Sequence, residues 1–263
     1  MSVYLDHNAT AKVRPEAIAA ITHVLEHVGN PSSIHAAGRA ARAVMEHARE
    51  AVGRLIAAPA STVAIHERLA ARGVAYVDAG ISGGAAGAEA GTLTIMAGGE
   101  AEALDAVRPV LAHFAATVHH MGASGSGHVA KLINNFLNAV SLAATAEAMV
   151  AARKAGLDLR QLLEVVNASS GVNFATLNRF PRIVEGDYLE GGLTSDLMAK
   201  DVMLYLDLVR ELGVTSLNGP PCLAAFHLAA ALGYGDQISN RVVDALGDIA
   251  GGVRVHDQTR EPT

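Results

Sequence analysis

Apolar residues recur at helical spacing in the first segment of the chain, where Ile18, Ile21, Leu25 and Val28 form one stripe behind Pro15. The stripe predicts an amphipathic helix, preceded by a short extended run at residues 3–5. Gly29, Asn30, Pro31, Ser32 and Ser33 break the pattern, and Val44, Ala48 and Val52 then share one face of a second helix over about 36–55. Ala58, Pro59 and Ala60 mark a junction. Beyond it the period changes: helix at 65–71, strand at 74–78, strand at 92–96, helix at 101–115 and strand at 117–120. This is an α/β rhythm with about three strands, short of the five or six of a doubly wound nucleotide domain. After Gly122 no strand pattern recurs. Helical runs follow at 128–155, 159–167, 174–185, 194–212 and 220–232, and the tail from Val255 reads as frayed. The expected fold class is an α/β remnant, a partial parallel sheet, followed by an all-α helical domain, with an N-terminal two-helix segment. The expected divisions are 1–60, 61–122 and 123–263.

Composition narrows the function classes. With 263 residues and 51% hydrophobic content the chain can bury a sizeable core. A net charge of −6, with bases scattered among acids, leaves no stripe to neutralise phosphates, so nucleic acid is not an expected partner. Cys222 is the single cysteine and has no internal disulfide partner. The first ten residues lack the basic-then-apolar order of a secretory signal, which makes the cytoplasm the expected location. The longest apolar stretch, 132–152, is interrupted by Asn134, Asn135, Asn138 and Glu147, so it reads as a buried helix and no membrane is expected.

Those asparagines matter for a second reason. Lys131, Asn134, Asn135 and Asn138 stand at i, i+3, i+4 and i+7 and share one face of an otherwise apolar helix. They either reach solvent as a polar stripe or satisfy one another in a cleft, because burying them unpaired is costly. A lysine in such a setting has its pKa pushed down toward the range of acid–base work. A second candidate is the run Asp78-Ala79-Gly80-Ile81-Ser82-Gly83-Gly84, followed by Gly87, Ala88 and Gly91. Here a strand passes into a loop with little side chain, either a flexible turn or a place where bare amides and the Ser82 hydroxyl approach a small anion.

Together, Asp78 to Gly84, Gly87-Ala88 and Gly91-Thr92-Leu93, the run Gly122 to Asn135 with its Gly-x-Gly-x-x-x-Lys-x-x-Asn-Asn pattern, Ser169-Ser170-Gly171 and Lys200-Asp201 resemble the β-hydroxyacid dehydrogenase family. The likeness is to its 3-hydroxyisobutyrate dehydrogenase-like members, over about residues 61–244. It implies an NAD(P)-dependent oxidoreductase that interconverts a small 3-hydroxy acid and its semialdehyde. By the same resemblance Lys131 is the catalytic acid/base and Asn135 orients the reacting oxygen. Ser82, Gly83 and Gly84 hold the substrate carboxylate, Lys200 lies near the cofactor or closes the cleft, and the helical domain builds a homodimer. The chain departs from the family at Gly80, where proline is usual, and near Leu193, where an aromatic ring is usual. It also lacks a recognisable N-terminal Rossmann half with its glycine-rich turn.

Three local patterns invite misreading. Gly125-Ser126-Gly127-His128-Val129-Ala130 satisfies Gly-x-Gly-x-x-Ala, yet a long helix follows it where a second strand ending in an acid is required, so it opens the helix that carries Lys131. His23 and His27 fit a His-x-x-Glu-His pattern with no third ligand marked, and no metal is expected. Tyr4 to Thr10 and Gly29 to Gly38 resemble the N-terminal segment of cysteine desulfurases, pyridoxal-phosphate enzymes whose Schiff-base lysine lies in a region with no counterpart here. Asn8 and Thr10 then read as capping or turn residues. The joined segments point to a chimeric chain. Two other readings stand beside the dehydrogenase: a non-catalytic helical oligomerisation module, and a pyridoxal-phosphate-dependent cysteine desulfurase-like fragment.

Overall fold

The structure, a computed structural model, describes residues 62–256. The two N-terminal helices, the strand at 3–5, the desulfurase-like motifs, the His23/His27 pair and residues 257–263 lie outside them. Contacts group the chain into two units. Among the described residues, 62–81 together with Gly91–His128 form the first, and Ser82–Ala90 together with 129–256 form the second.

In the first unit a helix, α1 (Thr62–Ala70), precedes the strands β1 (Asp78–Ser82), β2 (Leu93–Gly98) and β3 (Ala115–Gly122), ordered β1-β2-β3. Helix α3 (Ala101–Leu111) links β2 to β3, which pair in parallel with Ile95 opposite Val118. The central strand is buried along nearly its whole length, and Leu93, Ile95, Ala97, Leu104 and Ala115 form a small core. Strand β3 lies at the edge, and Thr117, His119, His120 and Met121 are exposed. The first strand departs from the expectation of 74–78. Gly80 and Ser82 have weak strand propensity, but pairing with β2 draws them into the sheet. The glycine-rich stretch after it, expected to be a loop, contains a short helix, α2 (Gly84–Glu89), favoured by Ala85, Ala86 and Ala88.

The second unit is helical. Helix α4 (Ser126–Lys154) begins in the first unit and is followed by α5 (Leu159–Asn167), α6 (Phe174–Asn178), α7 (Phe180–Ile183), α8 (Ser195–Glu211) and α9 (Gly219–Ala229). A π-turn (Ala230–Tyr234) and a 3-10 turn (Ser239–Arg241) lead into α10 (Val242–Ile249). Ala139, Leu142, Ala146 and Met149 run down one face of α4 at helical spacing and share the core with Phe180, Met198, Val202, Phe226 and Val242. The single helix expected at 174–185 is two. The break falls at Arg179, whose φ of −115° departs from the usual helical value, and Pro181 then sits in the first turn of α7, where its missing N–H costs nothing. The caps are those the sequence chemistry provides. The Asp158 side chain accepts from the Gln161 amide at 2.9 Å, and Asn173 and Thr176 form a reciprocal capping box. Val255 does not fray: it is buried, and its carbonyl accepts from Arg153 at 2.7 Å. Among the described residues no helix is long and apolar enough to cross a membrane.

Candidate active site

The helix that carries the polar face starts against the sheet. Asp78 is buried at 2% exposure, and its two carboxylate oxygens accept from the backbone amides of Gly125 at 2.6 Å and His128 at 2.9 Å. These amides belong to the unsatisfied first turn of α4, where a negative charge also meets the positive end of the helix dipole. Glycine is required here for closeness. A Cβ on Gly127 would stand 2.4 Å from the Met96 carbonyl oxygen and 2.8 Å from the Asp78 carboxylate. The Gly125–Gly127 pattern is thus a packing device whose amides are turned toward a protein carboxylate.

Just inside the second unit, Lys131 is half-buried. Burial is the main cause that depresses its pKa below the ordinary lysine value; the Asp201 carboxylate opposes the shift and the Lys200 ammonium adds to it. Asn135 is buried at 6% exposure and donates from Nδ2 to Asp201 Oδ2 at 2.5 Å, while Asn134 donates to Asn135 Oδ1 at 3.2 Å. The other oxygen of Asp201 pairs with Lys200 Nζ at 2.8 Å. Lys200 is half-exposed and Asp201 largely shielded. The cluster holds two cations against one buried carboxylate. The cluster is net positive only while Lys131 is protonated, and the burial that depresses its pKa inclines it to give up that proton.

Ser82, Gly83 and Gly84 belong to the same unit as Lys131, Asn135 and Lys200. Gly83 (φ 126°) and Gly84 (φ 62°) both take conformations that favour glycine, and both are exposed. A Cβ on Gly84 would meet nothing within 4 Å, so the requirement there is conformational. Asn138 is the member of the predicted face that the structure assigns elsewhere. Its side-chain oxygen accepts from Arg179 at 3.0 Å, two turns along from Lys131. The sequence reading gave Asp201 no role and did not single out Arg179. The Lys-Asp pair was the only signal for the first, and nothing local marks the second. Among the described residues no group of three or more His, Cys, Asp or Glu side chains is placed to hold a metal.

Comparison with known proteins identifies the family. A family model described as NAD-binding of NADP-dependent 3-hydroxyisobutyrate dehydrogenase matches residues 125–246. A second, described as the NAD binding domain of 6-phosphogluconate dehydrogenase, matches residues 6–122. An L-threonate dehydrogenase of Cupriavidus necator is 35% identical over 208 residues, 77% of this chain and 68% of that protein. The chain belongs to the β-hydroxyacid dehydrogenase family, with the 3-hydroxyisobutyrate dehydrogenase-like proteins. An NAD-dependent L-serine dehydrogenase of Pseudomonas aeruginosa is 40% identical over 68% of this chain, and the chain spans 62% of that enzyme's length. A solved 3-hydroxyisobutyrate dehydrogenase of Mycobacterium tuberculosis with L-serine superposes with a TM-score of 0.64 at 31% identity, covering 70% of this chain and 65% of that one. The three-stranded sheet with many helices is consistent with that fold. Every candidate site residue lies within one of the two matched segments. The nucleotide-binding match begins at residue 6, so it crosses the division drawn at residue 60 and runs through the segment expected to be desulfurase-like, a likeness that these comparisons do not show.

Proposed function

We propose that this chain is an NAD(P)-dependent oxidoreductase that interconverts a small 3-hydroxy acid and its semialdehyde, with Lys131 as acid/base. The observation that carries the reading is Lys131, half-buried and with its pKa depressed, beside the hydrogen-bonded Asn135–Asp201–Lys200 cluster, a base held next to a polar, charge-paired site. In the oxidising direction neutral Lys131 takes the hydroxyl proton, and in the reducing direction its ammonium returns it to the carbonyl oxygen. Asn135, fixed by Asp201, orients that oxygen through its amide. Ser82 and the amides of Gly83 and Gly84 hold the carboxylate, and Lys200 neutralises charge near the cofactor. The nicotinamide supplies hydride transfer when bound. The described residues fit the substrate end of such a site. The Gly125–Gly127 turn does not fit a pyrophosphate, because Asp78 already holds the Gly125 and His128 amides and would repel phosphate. The phosphate cradle then falls to residues 6–61 of the matched segment or to a second chain.

The same reading takes the sheet as a partial one in a chimeric chain, with residues 1–60 as an N-terminal two-helix segment. It places the protein in the cytoplasm as a homodimer. Exposed apolar residues on both α4 (Ile133, Leu137) and α8 (Leu197, Leu204) support the last of these. The test is titration of the full chain with NADH and NADPH, followed by nicotinamide fluorescence, and oxidation assays on 3-hydroxyisobutyrate, L-serine and L-threonate. Dinucleotide binding, and oxidation of one substrate that vanishes in Lys131→Ala, is the expected result. A folded chain that binds neither dinucleotide at millimolar concentration overturns it.

A further inference from the structure

The lysines of this chain are Lys12, Lys131, Lys154 and Lys200, and the last three stand among the described residues. Two of these have their side-chain nitrogens engaged. Lys154 Nζ donates to the Ala250 carbonyl at 3.0 Å, and Lys200 Nζ pairs with Asp201 Oδ1 at 2.8 Å. Lys131 differs from both. Asp201 is the carboxylate whose charge reaches it, yet the oxygens of Asp201 are turned to other groups, Oδ1 to Lys200 and Oδ2 to Asn135 at 2.5 Å. Among the described residues Lys131 makes no hydrogen bond and no ion pair. In a half-buried position an ammonium without an acceptor is the less stable form, and the neutral amine keeps its lone pair. Burial accordingly depresses the Lys131 pKa, and the Lys200 ammonium works in the same direction.

A desolvated amine beside a second cation is the arrangement that makes a lysine nucleophilic toward a carbonyl carbon. The groups around Lys131 suit that addition. Asn135 gives one Nδ2 hydrogen to Asp201 and has a second that can bond a carbonyl oxygen. Asp201 is buried and fixed by its two partners, so it balances one positive charge without capturing the amine.

We propose that Lys131 also acts as a nucleophile, capturing small aldehydes that bear a carboxylate as a reversible imine. The nitrogen lone pair attacks the aldehyde carbon, a C–N bond forms, and the carbonyl π pair moves to oxygen, which takes the proton that nitrogen gives up. A second proton, from solvent, carries that oxygen away as water while the nitrogen lone pair closes the C=N bond. Amine, aldehyde and one proton thus give a protonated imine and water, and nothing is oxidised or reduced. With Lys200, the protonated imine leaves one positive charge in excess over Asp201. The carboxylate of an oxo acid offsets that excess and an uncharged aldehyde does not. Capture needs no dinucleotide and does not rest on the dehydrogenase reading. Where that reading holds, the semialdehyde product occupies the base that formed it.

The test incubates the full chain, without dinucleotide, with 4-oxobutanoate or butanal and cyanoborohydride near neutral pH, and follows each lysine by peptide mass mapping. Cyanoborohydride reduces the protonated imine to a secondary amine and fixes it in place. Accessibility alone favours Lys154 and Lys200, which are both exposed. In wild type, Lys131 should nevertheless be labelled by 4-oxobutanoate at least about threefold faster than either. Relative to Lys154, it should also prefer 4-oxobutanoate over butanal by about threefold or more. Lys200→Met removes the neighbouring cation and frees Asp201 Oδ1 to hold the Lys131 ammonium, so it should slow labelling of Lys131 by about threefold or more. The wild-type chain supplies its own comparison between lysines, so the result does not depend on a variant that folds. Labelling that follows exposure, no preference for the oxo acid, or no slowing in Lys200→Met overturns the proposal. Selective labelling of Lys131 in a chain that oxidises no hydroxy acid supports the capture and overturns the dehydrogenase reading.

Discussion

Asp78→Ala tests how the strand that leads into Ser82 is tied to the helix bearing Lys131. The wild-type carboxylate is buried and accepts two backbone hydrogen bonds, at 2.6 and 2.9 Å, from amides in the first turn of α4. Hydrogen bonds to a charged group contribute about 1.5–3 kcal/mol each, so losing both costs about 3–6 kcal/mol before any relief. The variant no longer has to desolvate a carboxylate, which returns part of that, and the expected loss is about 2–4 kcal/mol. Asp78→Asn keeps one accepting oxygen but turns an amide N–H toward a backbone N–H, so it should lose nearly as much. The assay is urea unfolding followed by circular dichroism, together with hydrogen exchange at the Gly125 and His128 amides. Exchange at these two sites reports the local opening even if the two units unfold separately. A loss under about 1 kcal/mol with unchanged protection at both amides would refute the reasoning, since it would mean that water or the backbone satisfies them as well as Asp78 does.

Four further outcomes follow from the same structure. Gly127→Ala places a Cβ against the Met96 carbonyl oxygen, and thermal unfolding should show a loss of about 2–3 kcal/mol. Lys131→Met should lower turnover by about 10²- to 10⁴-fold and yet raise stability at neutral pH. Because burial depresses the Lys131 pKa in the folded state, the unfolded chain binds its proton more readily, so wild-type stability should rise as pH climbs through the depressed value toward 10.5, and denaturation across that range should show no such rise in the variant. Tyr188→Phe leaves Asp244 without a 2.8 Å donor in a buried position and should cost about 1–2 kcal/mol by urea titration. The Cys222 thiol is buried and pushed up to about 12, so an aromatic disulfide reagent at pH 8 should label it only in denaturant.

Periodic signals in the chain were sufficient to locate the long helices. The apolar repeat through Ala139, Leu142, Ala146 and Met149 marks α4 as a helix, and its observed ends at Ser126 and Lys154 lie within two residues of the pattern's own. Helix α10 went unnoticed because its eight residues are too short a run to tell helix from strand by periodicity, although Asp244 and Asp248 stand one turn apart; Val242, Val243, Asp244 and Ala245 are all buried. The first strand was displaced for a related reason. A lone strand has no hydrogen-bond partners, and β2 decides which five residues of the 74–82 region pair.

By itself the sequence determined the residue types of the candidate site and their shared face, because positions three, four and seven apart on a helix must line up. It also carried the motifs by which the family is recognised. Only tertiary structure decided how those groups are paired. Asn135 meets Asp201 across 66 positions, Asn138 meets Arg179 across 41, and Asp78 meets His128 across 50. Local spacing has no signal for such pairs, since each is made by helices and strands packing their apolar faces and bringing together whatever polar groups stand beside them. The same packing made the glycine pattern that opens α4 a close contact between helix and sheet, with the Gly125 and His128 amides held by a carboxylate.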